Sequence, residues 1–304
     1  MPADPVVPAD PAVTVPAGPS FPPVRRLGPD DLTGCVALSV DRGWSPEAPK
    51  WSLLLAASAV FGVDAPDGRG LAGAVALTRW AADYAAVGMM LVAARYGRRG
   101  LGRALMEHAL RAAGRGATVT LFATDMGRPL YEKLGFAAVR RNVPFVGRFR
   151  ALPGDRAGGV RSATLGDLPA ILDLDRAAFG ADRGPILTRL PALVDRMVVA
   201  EAAGPPGRDL AGYAAAWRNT PASAVIGPLV ALDGETARHL VTALAADAAT
   251  PVRLDLDPDR PELPGWADAR GLEPAGLTVV MAHGKATARG VPGRLFTPIS
   301  VALA

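Results

Sequence analysis

From Leu101 onward the apolar residues of the chain recur at helical spacing: Leu101, Leu105 and Ala109 form one line, with Met106, Leu110 and Ala113 beside it. Gly114 and Gly116 predict where this helix stops. Just upstream, AAVGMMLVAA (85–94) is a short run rich in Val and Met, which predicts a buried strand. Between them stands RYGRRG (95–100), crowded with glycine and arginine. The predicted unit is a strand, a glycine-rich loop and a helix.

The wider pattern occurs twice. VRRLGPDDL from Val24 answers VRSATLGDL from Val160, and LAGAVALTRW from Leu71 answers LAGYAAAWRN from Leu210. Leu91-Val92-Ala93 answers Leu229-Val230-Ala231, and EKLGF with Gly135 answers DARGL with Gly271. Four landmarks in one order, at offsets of 136 to 139 residues, argue for duplication of one domain. Each half predicts a strand, a helix, a strand meander, the strand–loop–helix unit, then another strand and helix. That is an α/β fold with a mixed sheet of the α+β kind. Residues 1–22, proline-rich and without periodicity, predict a disordered tail. Residues 23–152 and 153–304 predict two similar domains, with ALPGDRAGG (151–159) as the joint. The second half runs VALDGETARHL where the first runs VAARYGRRGLGRALM, so it has lost the loop.

Composition narrows the class. Half of the 304 residues are hydrophobic, enough for a large core. The single cysteine, Cys35, excludes an internal disulfide framework and fits a reducing compartment; within LTGCVAL it reads as a small core residue. The net charge is +4, yet only three basic residues are lysines and the arginines are scattered without interleaved aromatics. No nucleic-acid partner is expected. MPADPVVPADP lacks the basic start and apolar core of a secretory signal. The apolar stretch WSLLLAASAVFGV falls short of the ~18 residues a membrane span needs. A cytoplasmic protein without a membrane partner is expected, as a monomer or homodimer. His108, His239 and His283 have no companions at ligand spacing, so no metal is expected.

Glycines that remove side chains let successive N–H groups converge, and a helix N-terminus adds partial positive charge. Such a place suits an anion, above all a phosphate. Arg98, Arg99 and Arg103 add guanidinium forks that match phosphate oxygens. The loop lacks the lysine and Ser/Thr of an ATP-binding loop, and Leu105 stands where the dinucleotide fingerprint has its third glycine.

These residues resemble the acyl-coenzyme A loop of the GNAT superfamily of N-acyltransferases, (Gln/Arg)-x-x-Gly-x-(Gly/Ala). Gly100 and Gly102 match its two small positions. Gly97 stands where the family has Gln or Arg, leaving Arg95 or Arg98 to supply the charge. About thirty residues on, LFATDMGRPLYEKLGFAAVRR resembles the family's next strand and helix, with the frequent Tyr-Glu-Lys-Leu-Gly-Phe ending. LDRAAFGADRGPIL and IGPLVALD in the second half resemble the C-terminal domain of two-domain GNAT proteins of the YitH type. The resemblance implies tandem GNAT folds packed around a cleft, the second degenerate.

It also implies a site. Acetyl-CoA or another acyl-CoA would be the co-substrate, its pantetheine along Leu91, Val92 and Ala94. Its phosphates would lie on Gly97, Arg98, Arg99, Gly100, Leu101, Gly102 and Arg103, with Thr124 beyond the next strand. A backbone N–H near Met90 or Leu91 would hold the oxyanion, and Tyr131 would be the general acid. The acceptor would be a primary amine of a small molecule or peptide. An alkyl amine of pKa near 10.4 is at most about 0.1% neutral at pH 7, so a base is required. Glu47, Asp83 and Asp125 are the candidates, and Trp44, Trp51 and Trp80 are candidates to line the acceptor pocket. Trp266 and Ala267 occupy the place of Tyr131 in the second half, so one catalytic half is expected. Two alternatives stay open: a donor carried by an acyl carrier protein docked on Arg95, Arg98, Arg99 and Arg103, and a non-enzymatic acyl-CoA-sensing module.

Overall fold

The computed structural model describes residues 21–202, 209–285 and 289–303. Of the predicted tail, residues 1–20 lie outside the described residues, while Phe21 is buried with its ring edge-on to Tyr96 at 5.5 Å.

The first half runs β1 (Arg25–Arg26), α1 (Leu32–Asp41), α2 (Ala48–Ala57), β2 (Ala59–Asp64), β3 (Leu71–Ala81) and β4 (Tyr84–Val92). It continues with α3 (Leu101–Ala113), β5 (Thr118–Ala123), α4 (Arg128–Lys133) and β6 (Ala137–Gly147). The second half repeats this order as β7 (Val160–Ser162), α5 (Leu168–Phe179), α6 (Gly184–Leu187), β8 (Arg196–Glu201), β9 (Leu210–Thr220) and β10 (Ser223–Ala231). After these come α7 (Gly234–Ala245), β11 (Val252–Leu256), α8 (Pro264–Asp268), β12 (Glu273–Pro274), β13 (Thr278–His283) and β14 (Leu295–Thr297).

One mixed sheet carries both halves, in the order β1-β2-β3-β4-β5-β13-β6-β11-β10-β9-β8-β7. The halves exchange strands. β13, from the second half, lies between β5 and β6 of the first. The far end of β6, Val143–Gly147, lies between β11 and β12 of the second. The segment expected to be a joint is likewise pinned: Asp155 accepts from Arg270 Nε at 2.8 Å with both side chains largely buried. Neither half keeps a complete sheet without the other.

The duplication extends to packing detail. Arg25 forks onto Asp31 in the first half and Arg161 onto Asp167 in the second, each carboxylate also accepting a backbone N–H of its own turn (Gly28, 2.9 Å; Thr164, 2.7 Å). Gly73 of β3 lies under Leu105 of α3, and Gly212 of β9 under Leu240 of α7; a Cβ at either would press within 2.9 Å of the leucine. Bare backbone at these two points lets each helix settle directly on its sheet. Central β3 is buried almost along its length, as a strand covered on both faces must be.

Candidate active site

β4 starts beside β5 as a parallel partner, from Tyr84↔Thr118 to Val87↔Leu121, and there the ladder stops. The cause lies on the other edge of β4. Between Gly88 and Leu91 two residues, Met89 and Met90, face the single Val75 of β3. This bulge drives Met89 to φ 48°, a left-handed conformation costly for a side chain without compensation. The bend opens a gap between β4 and β5, and among the described residues no strand pairs with the β5-facing edge of Met90–Val92. Unpaired backbone N–H and C=O groups along a strand edge are ready to pair with an extended, amide-bearing ligand.

The loop closes one end of this gap. Arg98 (φ 61°) and Gly100 (φ 80°) take left-handed conformations, and Gly100 caps α3 without any side-chain hydrogen bond. The N–H groups of Arg98, Arg99 and Gly100 meet no acceptor among the described residues. The first N–H groups of α3 are unpaired by helix geometry. Gly102 serves proximity: a Cβ there would lie 3.1 Å from Met90 Cε and 3.6 Å from Val92 Cγ2. The four arginines behave differently. Arg95 is held by Asp67 (3.3 Å) and the Arg69 carbonyl, and Arg103 by Glu107 (2.8 Å). Arg98 and Arg99 are exposed and make no ion pair among the described residues. Arg99 lies over the Tyr96 ring at 5.8 Å, and an N-terminal nest beside two guanidinium groups without ion pairs suits an anion.

Tyr131 is 8% exposed, its ring over Gly127 and 5.9 Å from Phe136. Its hydroxyl has no hydrogen-bond partner among the described residues, and burial pushes the phenol up to about 12. It is therefore a protonated donor throughout the neutral range. Thr124 closes the turn into α4, its carbonyl accepting Gly127 N–H at 3.0 Å and its hydroxyl facing the same N–H.

The acidic and aromatic candidates separate. Glu47 lines a cavity of about 360 Å³ and is paired with Lys50 at 2.6 Å. Trp44 is exposed and not part of that lining. Trp51 is fully buried, its Nε1 donating to Ser39 Oγ at 2.9 Å. Trp80 is buried edge-on to Phe179 at 5.7 Å, a contact between the halves. Asp83 is paired with Arg289 (2.7 Å) at the start of β4, more than about 20 Å along the strand from Met90. Asp125 is exposed at the turn before α4. Cys35 is fully buried and its thiol is raised to about 12 by burial, which leaves it inert.

The cavity is built by both halves, which sequence reasoning did not locate. The first contributes Pro46, Glu47, Lys50 and Leu53 from the start of α2. The second contributes Leu190, Leu193 and Val194, and the β9–β10 hairpin at Trp217–Pro221. Ile299, Ser300 and Leu303, after β14, complete the wall. Between them Ala302 touches β4: a Cβ on Gly88 would collide with the Ala302 carbonyl. The cavity and the bulge of β4 thus share one segment of chain.

In the second half the corresponding places are filled. β10 carries the same bulge, with Gly227 and Pro228 between Ile226 and Leu229, and its parallel ladder to β11 also ends there. Register aligns Leu91 with Val230 rather than with Leu229 of the sequence landmark, because Gly73↔Val92 answers Gly212↔Ala231. β14 lies in the opened gap, paired with Leu229 and Val230. At the start of α7, Asp233 caps the helix by accepting Thr236 N–H at 2.8 Å, placing a carboxylate where an anion would sit. Ala267 and Trp266 supply no hydroxyl.

Among the described residues no cluster of acidic, His and Cys groups forms a metal site, and no helix is long and apolar enough to cross a membrane. Models of the acetyltransferase (GNAT) domain match residues 58–138 and, separately, residues 171–297. The chain is 30% identical over 185 residues to the uncharacterized N-acetyltransferase YitH of Bacillus subtilis, a match spanning 58% of this chain and 62% of that protein. Among solved structures it is similar to a Pyrococcus horikoshii protein described as an acetyltransferase (TM-score 0.78, 20% identity, 92% of this chain and 95% of that one). It is also similar to a tandem GNAT protein from the clavulanic acid biosynthesis pathway (TM-score 0.60, 18% identity, 87% and 99%). Both matched segments are acetyltransferase (GNAT) domains, so the chain carries two domains of the GNAT family in tandem.

Proposed function

We propose that the protein transfers an acyl group, most simply acetyl, from acyl-CoA to a primary amine, using the first half as donor site and the cavity between the halves as acceptor site. The observation that carries this reading is the open gap beside Met90–Val92, closed at one end by the anion nest of Arg98–Gly102. An extended pantetheine pairs with the strand edge while the phosphates reach the nest and Arg98 and Arg99. The amine nitrogen attacks the thioester carbon as its proton leaves to a base, Glu47 or water. A β4 backbone N–H near Met90 or Leu91 holds the oxyanion. The C–S bond then breaks, and the sulfur leaves as thiolate facing Tyr131. A phenol near 12 lies about 3.5 units above a thiol of about 8.5, roughly 5 kcal/mol, so Tyr131 hydrogen-bonds the developing thiolate rather than ending deprotonated. The sulfur's final proton balances the one lost by the amine.

The exposed pair Arg98 and Arg99 also supports a donor borne by an acidic carrier protein. Thiol release from acetyl-CoA and from acyl-loaded carrier protein, each with a panel of primary amines, tests both. The expected result is amine-dependent release from acetyl-CoA. Preference for the carrier favours the second donor, and coenzyme binding without release by any amine rejects catalysis.

A further inference from the structure

β14 and the residues after it form one continuous device. Thr297 in β14 is buried, and its hydroxyl donates to the Ile226 carbonyl at 3.3 Å beside the second half's bulge. A Cβ on Gly227 would collide with the Pro298 carbonyl, as one on Gly88 would with that of Ala302. The chain therefore crosses from the bulge of β10 to the bulge of β4 within five residues, touching bare backbone at both. Ser300 tightens this crossing, its carbonyl accepting Leu303 N–H at 2.9 Å and its hydroxyl facing Ala302 N–H at 3.2 Å. On the way, Ile299 and Leu303 turn into the cavity while being almost fully buried themselves.

We propose that Pro298–Leu303, moored by β14 in the unused gap of the second half, is the wall that decides which amines the first half accepts, and that these are primary amines with an apolar body. The proposal rests on the reading of the cavity as acceptor site. The class follows from the lining. Leu53, Leu190, Leu193, Trp217, Ile299 and Leu303 present carbon, and the charged groups are few and engaged: Glu47 with Lys50, and Arg218 with Asp195 at 3.3 Å. At about 360 Å³ the space is of the size that takes a small ligand. Leu303 borders both the cavity and Ala302, so its side chain sets how far an apolar body extends beside the bulge.

The test is calorimetry and steady-state kinetics on the full chain with n-alkylamines from ethylamine to decylamine, with and without bound CoA. Affinity should rise up to about fourfold per added methylene until the cavity is full, then stop. Leu303→Ala should move that limit two to three carbons longer, and Leu303→Trp should move it shorter. Both variants should melt somewhat lower because Leu303 is buried, and a Kd for CoA within twofold would show that the donor site is intact. A limit that stays in place in both variants overturns the wall, and absence of alkylamine binding overturns the apolar class. Amines that bind with the expected limit but are never acylated would reject the proposed catalysis and leave the wall standing.

Discussion

Two gaps of the same origin meet different fates in this molecule. In each half a two-residue bulge bends a central strand away from its parallel neighbour, at Met89–Met90 in one and Gly227–Pro228 in the other. The first gap keeps an unpaired strand edge and an uncapped glycine nest. The second is occupied by β14, and Asp233 caps its helix. Since a buried strand edge must find hydrogen-bond partners, a duplicated domain that gives up its ligand must pair that edge with something else. Here the chain supplies its own strand. Its continuation then serves the half whose gap is open.

The first helices of the two halves also differ. Where α1 carries the small, buried Ser39, α5 carries Asp175 at the matching place in the repeat. Asp175 is fully buried with Arg183 (Nε–Oδ1 3.0 Å), and Tyr213 donates its hydroxyl to the same carboxylate. Phe179 lies under the guanidinium at 4.4 Å. This charged network occupies the place where, in the first half, the fully buried Trp51 packs on Ser39 with its Nε1 donating to Oγ at 2.9 Å. Asp175→Ala should therefore cost about 3–5 kcal/mol in chemical denaturation by leaving Arg183 charged and buried, whereas Ser39→Ala should cost about 1. Equal effects would remove the contrast.

A smaller effect in energy is expected at the first half's phenol. Tyr131→Phe should lower kcat about 100-fold, close to 2.7 kcal/mol, with KM for acyl-CoA within twofold. Substitution of Ala267 by Tyr in the second half should restore nothing. Unaltered kcat in the Tyr131→Phe enzyme would show that the ring packs and does no chemistry.

The smallest effect is in pH dependence. A phenol raised by burial keeps its proton in the folded state while the unfolded state loses its own from about pH 10, so stability should fall as pH rises from about 10 toward 12. Tyr213, also raised by burial, acts in the same direction. Denaturant titrations across this range should give a shallower loss for Tyr131→Phe. The same slope in both proteins would place the Tyr131 hydroxyl in water.

The shape of the strand–loop–helix unit was legible because it depends on local pattern. Gly100 and Gly102 act through backbone conformation and proximity within one strand–loop–helix unit, and Leu101, Leu105 and Ala109 mark the face that packs. The repeat was legible too, since packing glycines such as Gly73 and Gly212 sit at fixed places in similar words. The cavity between the halves was not. Lys50, Trp217 and Leu303 come together only because the halves exchange β13 and the end of β6 within one continuous sheet, contacts no periodicity encodes. For the same reason Trp80 and Asp83, plausible from nearness to β4 in sequence, belong to the hairpin at its far end. Residues 1–152 alone would lack β13, so they do not make a self-contained test of the first half.

With one gap open and the other filled, the chain has room for one coenzyme, and titration calorimetry of the full chain with acetyl-CoA reads that number directly. One molecule should bind per chain. Gly102→Val, which would crowd Met90 and Val92, should abolish binding, and Asp233→Ala in the second half should leave it unchanged. Two molecules per chain, or one that survives Gly102→Val, would contradict this division between the halves.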